Sequence, residues 1–244
     1  MRHLVVWLAA VLALALCATA ASGQREREDS ALSVAREIAR RVRSFPNLRA
    51  RAPLGVWSER PERRFSVRTT HACHASLREA GIAFTEVRTT LTPIPAPVRI
   101  DGPIEGVTLV KLREDAPLIV ACELAARLPA IARVLGAHHV TRAHVLSSWR
   151  REPRTSFHTM GLALDLARFD REDGSSLVVE RDWRARPERE TCEAVDEGDS
   201  LRALLCELAE GAPLSTAIGP EYSPGHRDHL HIDVRPDDAR AFVR

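Results

Sequence analysis

Two short stretches of this chain bring together side chains that can hold a metal ion. The first reads Ser156-Phe157-His158-Thr159-Met160-Gly161-Leu162-Ala163-Leu164-Asp165. The second reads Gly225-His226-Arg227-Asp228-His229-Leu230-His231-Ile232-Asp233. Together they hold four of the 10 histidines. Two imidazoles and a carboxylate are what a catalytic zinc ion takes when one position stays open for water. The candidate ligands are His158, Asp165 and His231, and the chemistry they imply is metal-assisted hydrolysis.

The spacing agrees with simple strand geometry. If residues 228–235 form a strand, His229, His231 and Asp233 share one face, and Leu230, Ile232 and Val234 share the other. In Leu162 to Ala167, Asp165 shares a face with Ala163 and Ala167, opposite three leucines. Pairing the two strands lets Asp165 face His231 across a shallow floor. His158 stands just before its strand, and Gly161 lets the chain turn back toward it. A lone His-x-His is most often a surface or core feature. The two motifs together are far more specific.

These motifs resemble those of the zinc D-Ala-D-Ala carboxypeptidase and peptidoglycan L,D-endopeptidase superfamily. From about Cys73 onward the chain is more closely similar to the bacterial extensin-like C-terminal domain family. That likeness rests on Ala121-Cys122-Glu123-Leu124-Ala125, the His158 motif, Ile218-Gly219-Pro220-Glu221-Tyr222 and the run from His226 to Asp233. The broader resemblance implies that His158, Asp165 and His231 are zinc ligands. It also sets Asp228 where several members place a catalytic Glu, and His229 where others use a histidine beside the metal. Arg150 matches an arginine that members carry ahead of the His motif. The chain has no Ser-Pro repeats of the plant wall glycoprotein type, so a structural wall protein is not implied.

A peptidase site needs a base for water and an acid for the leaving amine. Asp228 is expected as base with His229 as co-catalytic donor, and the reverse assignment stays open. Asp is one methylene shorter than Glu, which limits its reach. Asp233 is expected to orient a ligand rather than bind metal. Arg150 could hold a substrate carboxylate or an oxyanion. The 35 Lys and Arg residues include one lysine, Lys111, so Arg151 and Arg154 are substitutes for Arg150. His226 can line the cleft, while His71, His74, His138, His139 and His144 read as structural or exposed.

Met1-Arg2-His3, the apolar run Leu4 to Leu16 and the small residues Ala18-Thr19-Ala20 have the form of a secretory signal, with residues 1–20 removed. Cys17 offers a less favoured lipoprotein alternative, because Leu16 poorly suits lipidation. Export to the periplasm or beyond permits disulfides. Cys192 and Cys206 close a short charged loop and are paired. Cys73 with Cys122 follows by elimination, and the absence of C-x-x-C spacing argues against soft-metal ligation. The apolar run is too short for a confident membrane span, so none is expected in the mature chain.

Net charge is only +2, and no basic helix with interleaved aromatics suggests nucleic acid as a partner. Residues 21–70 read as a helix from Ser30 to Val42 followed by an Arg- and Pro-rich arm. From Gln24 to Thr70 there are 12 arginines against six acidic residues, an excess that would hold the protein on an anionic wall. The helix packs on the domain or anchors at a membrane surface.

Residues 71–244 read as one α+β domain: a small, largely antiparallel sheet, helices to one side and a zinc site on the open face. Short strands are expected at residues 106–112, 145–149, 162–168, 177–180 and 229–235. Helices are expected near Cys73–Ala80, over Pro117–Leu135, and from a cap at Asp199 or Ser200 to a point before Gly211. The expected function is a secreted, monomeric zinc peptidase acting on peptidoglycan stem peptides or crosslinks. A non-catalytic wall-binding module that keeps the metal site, and a zinc hydrolase with another amide or ester substrate, are the alternatives.

Overall fold

The structure, a computed structural model, describes residues 55–59, 64–88, 94–113, 116–151, 156–186, 189–193, 195–236 and 240–244. The signal segment, Cys17, the Ser30 helix and Arg154 lie outside the described residues. Eleven strands, β1 to β11, are named here in chain order: Val56–Glu59, Phe84–Glu86, Pro97–Ile100, Thr108–Lys111, Ile119–Ala121, Val140–Ser147, Ala163–Arg171, Ser176–Val178, Thr216–Ile218, Leu230–Asp233 and Arg240–Val243. The helices α1 to α5 are Thr70–Glu79, Cys122–Ala125, Leu128–Ala137, Val179–Asp182 and Ser200–Gly211.

The main sheet has the order β1-β11-β9-β10-β7-β6-β4, with β8 also on β7. Its pairings are antiparallel except β11 with β9 and β4 with β6. This is the expected α+β fold with a largely antiparallel sheet. A second sheet, β2-β3-β5, was not foreseen. Alternation puts Leu164, Leu166, Leu230 and Ile232 into one core with Ile131 and Leu135 of α3 and Leu204, Leu205 and Leu208 of α5. The Asp199 side chain caps α5 by accepting from the Arg202 amide.

The helix expected over Pro117–Leu135 is three elements. Ile119 and Val120 are β-branched and pair with β3. Pro129 lacks a backbone donor and clashes with the preceding turn, so it starts α3 and does not continue α2. The strand expected over Leu177–Glu180 ends at Val178, where Asp182 Oδ2 accepts from the Val178 amide at 2.8 Å and a helical turn takes over. Both expected disulfides are present, Cys73–Cys122 and Cys192–Cys206.

Part of the segment read as an arm is built into the domain. Strand β1 covers the edge of β11, where open backbone groups would invite pairing with other chains. Buried Glu123 accepts from the Arg68 amide at 2.8 Å and forms an ion pair with its guanidinium at 2.9 Å. Arg127 lies 3.6 Å from the same carboxylate and stacks over Phe65. A protein starting at His71 loses β1, Phe65 and Arg68 and leaves Glu123 half-partnered. The Arg68 side chain is 35% exposed, so losing this pair costs about 1–2 kcal/mol after solvent screening, and the melting point should fall by on the order of 5 °C relative to one starting at Gly55. Equal melting curves would show that these contacts carry no stability.

Candidate metal centre

Strand pairing builds the site. β7 and β10 run antiparallel with His231 opposite Asp165 and Ile232 opposite Leu164. The leucine and isoleucine side chains enter the core, which leaves His231 and Asp165 on the other face. β6 places Ser147 opposite Asp165 on the far side of β7.

His158 arrives from a short 3-10 turn, Phe157–Met160, capped by the Ser156 hydroxyl. The turn ends in Gly161 at φ +64°, a left-handed conformation in which a side chain is strained. A Cβ there would also lie 2.8 Å from the Ala121 amide nitrogen and 2.9 Å from Ile94 Cγ2. The Gly161 carbonyl accepts from that amide at 2.9 Å. Only glycine can dock this turn against the start of α2, as its place in the sequence suggested.

The three expected ligands converge. His158 Nε2 lies 3.0 Å from Asp165 Oδ1 and 3.2 Å from His231 Nδ1, and His231 Nδ1 lies 2.9 Å from Asp165 Oδ1. Ligand atoms at zinc bond lengths of about 2.0–2.1 Å in a tetrahedron sit about 3.3 Å apart. Asp165 Oδ2 is buried and accepts no hydrogen bond among the described residues. The donor set and this unused oxygen fit a divalent cation. His158 and Asp165 are almost completely buried, and His231 is only 8% exposed.

Without a cation the same atoms form an ion-paired cluster. Burial disfavours charge on His231, but hydrogen bonds to Asp165 and Asp233 outweigh it and raise its pKa to about 9. Burial opposes ionisation of Asp165 too, yet His158 and His231 hold its carboxyl well below the usual range. His158 moves the other way, because burial outweighs the pull of Asp165. A cation bound at these three atoms displaces the proton on His231 Nδ1.

The surrounding residues fall into place in different ways. Asp233 Oδ2 lies 3.3 Å from His231 Nε2, and Arg235 holds its other oxygen at 3.4 Å. His229 Nε2 lies 3.4 Å from Asp165 Oδ1, while its Nδ1 is 2.7 Å from Asp228 Oδ1. Asp228 is therefore on the outer side of His229, with its side chain 38% exposed. Arg150 Nη1 approaches Asp165 Oδ2 at 3.9 Å.

His226 covers the cluster, with ring centroids 5.1 Å from His229 and 5.8 Å from His231, and its Nδ1 is 2.8 Å from the Ser223 hydroxyl. Burial and the two neighbouring histidines depress its pKa to about 3. Sequence alone gave no role to Ser147, whose hydroxyl is 3.5 Å from His158 Nδ1. Its position in the strand before Arg150 was the available signal.

Residues 71–242 match the family model described as "Extensin-like protein C-terminus". The chain belongs to this extensin-like C-terminal family. No curated protein and no solved structure matches it. The family match takes in every candidate ligand and leaves out β1 and Arg68.

Metal content tests the centre directly. The purified chain should carry one zinc per molecule, and His158→Ala, Asp165→Ala or His231→Ala should each remove most of it. Metal content unchanged in all three variants would leave only the ion-paired cluster. Because the raised pKa of His231 keeps it protonated below about 9, zinc affinity should rise about tenfold per pH unit toward that value and then level off. Titrations against a competing chelator would measure this. Gly161→Ala should cost about 1–3 kcal/mol of stability and weaken zinc binding, since the strained turn carries His158.

Proposed function

We propose that the protein is an exported zinc-dependent peptidase that hydrolyses amide bonds in peptidoglycan stem peptides or crosslinks. The observation that carries this reading is the convergence of His158, Asp165 and His231, with the His229–Asp228 pair directly beside them. Family membership supports it, as does the likeness of both motifs to zinc D-Ala-D-Ala peptidases. Two disulfides agree with export, and among the described residues no helix is long and apolar enough to cross a membrane.

His158, Asp165 and His231 would hold the metal, and Asp233 would fix the ring of His231. A bound zinc ion supplies Lewis acidity toward a water and a carbonyl oxygen. Two of the three ligands are neutral imidazoles when metallated, so the site keeps a net positive charge for that task. His229 turns Nε2 toward the cluster and gives Nδ1 to Asp228. In this orientation His229 takes the proton from the attacking water and returns it to the leaving amine. The Asp228 carboxylate holds the tautomer and steadies the imidazolium that forms. This reverses the order expected from sequence, where Asp228 came first as base. Arg150, with its side chain 45% exposed, can reach a substrate carboxylate or the developing oxyanion.

Incubation of the zinc-loaded protein with purified peptidoglycan, followed by mass analysis of the soluble fragments, tests the activity. Release of products cut at a D-Ala amide or an L,D crosslink is expected. His229→Ala should keep its zinc and lose turnover by a factor of about 10² to 10⁴. Asp228→Asn should also keep zinc, with a smaller loss if its carboxylate only steadies His229. Intact muropeptides with binding retained would identify a wall-binding module that keeps the metal site. Cleavage of another amide or an ester alone would redirect the substrate.

A further inference from the structure

One basic group near the site is unlike every other in the chain. Among 35 Lys and Arg residues, Lys111 is the only lysine. It ends β4 and lies in register with Val145 of β6. Its ammonium donates to the Leu146 carbonyl at 3.1 Å. The next residue, Ser147, faces Asp165 across β6 and β7 and lies against His158. β4 and β6 are parallel, so Lys111 sits at the same end of the sheet as the metal centre. Burial lowers its pKa, and the negative charge of Asp165 offsets only part of that.

The setting looks toward a ligand. An ammonium has three donors, and the Leu146 carbonyl takes one. Leu112 and Leu146, 45% and 37% exposed, are the large apolar side chains left open to solvent among the described residues. Leu112 follows Lys111 in the chain, and Leu146 carries the carbonyl that it holds. Arg150, a few residues past Ser147, brings a second cation to within 3.9 Å of Asp165 Oδ2. An arginine at position 111 would impose a planar fork. A lysine can keep one bond to Leu146 and swing its remaining donors onto a carboxylate. The plainer view is that Lys111 lays its stem along apolar neighbours and keeps its charge in water. That view requires no response to a ligand.

We propose that Lys111, with Leu112 and Leu146 as an apolar lip, forms a subsite beside the metal centre for a carboxylate carried by the peptide substrate. The substrate class rests on the peptidase reading above. The carboxylate is the peptide's terminus or an acidic side chain, and amidating each in turn distinguishes them.

The single lysine makes the test direct. The zinc-loaded full chain is treated with an amine-acetylating reagent, with and without a synthetic acidic stem peptide. Acetylation of Lys111 is followed by mass spectrometry, and the N-terminal amine serves as an internal control. The peptide should slow acetylation of Lys111 about tenfold and leave the N-terminal amine unaffected, and amidating the recognised carboxylate should abolish that protection. In calorimetry, Lys111→Met should weaken binding of the free acid about tenfold and leave binding of the amidated peptide unchanged. Binding and protection without cleavage support the subsite and count against the peptidase reading. Cleavage with Lys111 unprotected, and equal binding by Lys111→Met, overturns the subsite and leaves the peptidase reading standing. Absence of any binding by the unmodified protein also overturns the subsite.

Discussion

The antiparallel pairing of β7 with β10 sets His231 opposite Asp165, with Leu164 and Ile232 paired on the reverse face. A slip of one residue would turn the ligands into the core and the aliphatic residues out to the site. The register is therefore fixed by apolar burial, and the polar cluster inherits its geometry from it. Each fully buried Leu or Ile contributes about 1.5–3 kcal/mol, so a slip that exposed the four on these two strands would cost several times about 1.5 kcal/mol. The third ligand depends on a different constraint. The Gly161 turn is locked to the amide of Ala121, so His158 is tied to the second sheet and to the start of α2.

This division explains what could be seen in the sequence. Strict alternation in Leu162–Ala167 and in His229–Val234 declared both strands, their faces and the opposition of Asp165 to His231. The capped helix Ser200–Gly211 was legible because Asp199 is a side-chain acceptor placed before an apolar repeat of period 3.6. Pro117–Leu135 was misjudged because a continuous apolar run has no periodicity to separate a buried strand from a buried helix. There Pro129 and the β-branched pair Ile119-Val120 carried more information than hydrophobicity.

Within the site, which side chains converge was legible and their mutual orientation was not. Strand alternation placed His229 beside the centre and the family resemblance placed Asp228 there, but which of them faces it depends on how the chain leaves the turn before β10. The structure has His229 inward and Asp228 outward. Lys111 was visible in the sequence only as an oddity of composition, because a parallel strand pair with no local signature brings it beside Leu146. The role of Arg68 was hidden for the same reason: Glu123, its partner, lies 55 residues further along the chain.

The placement of β11 between β1 and β9 bears on how the molecule assembles. The first and last described strands are neighbours, so their pairing closes a loop that spans the whole domain. Such contacts bring large entropic loss before any reward, and they slow the search for the native state. Until β11 arrives, β9 has one unsatisfied edge and β1 has no partner, both of them sticky backbone surfaces. The candidate centre needs β7, β10 and the Gly161 turn docked on Ala121, and neither β1 nor β11 takes part in it. His158, Asp165 and His231 can thus meet while the outer rim is still open, and a cation held there would favour the register that pairs β7 with β10.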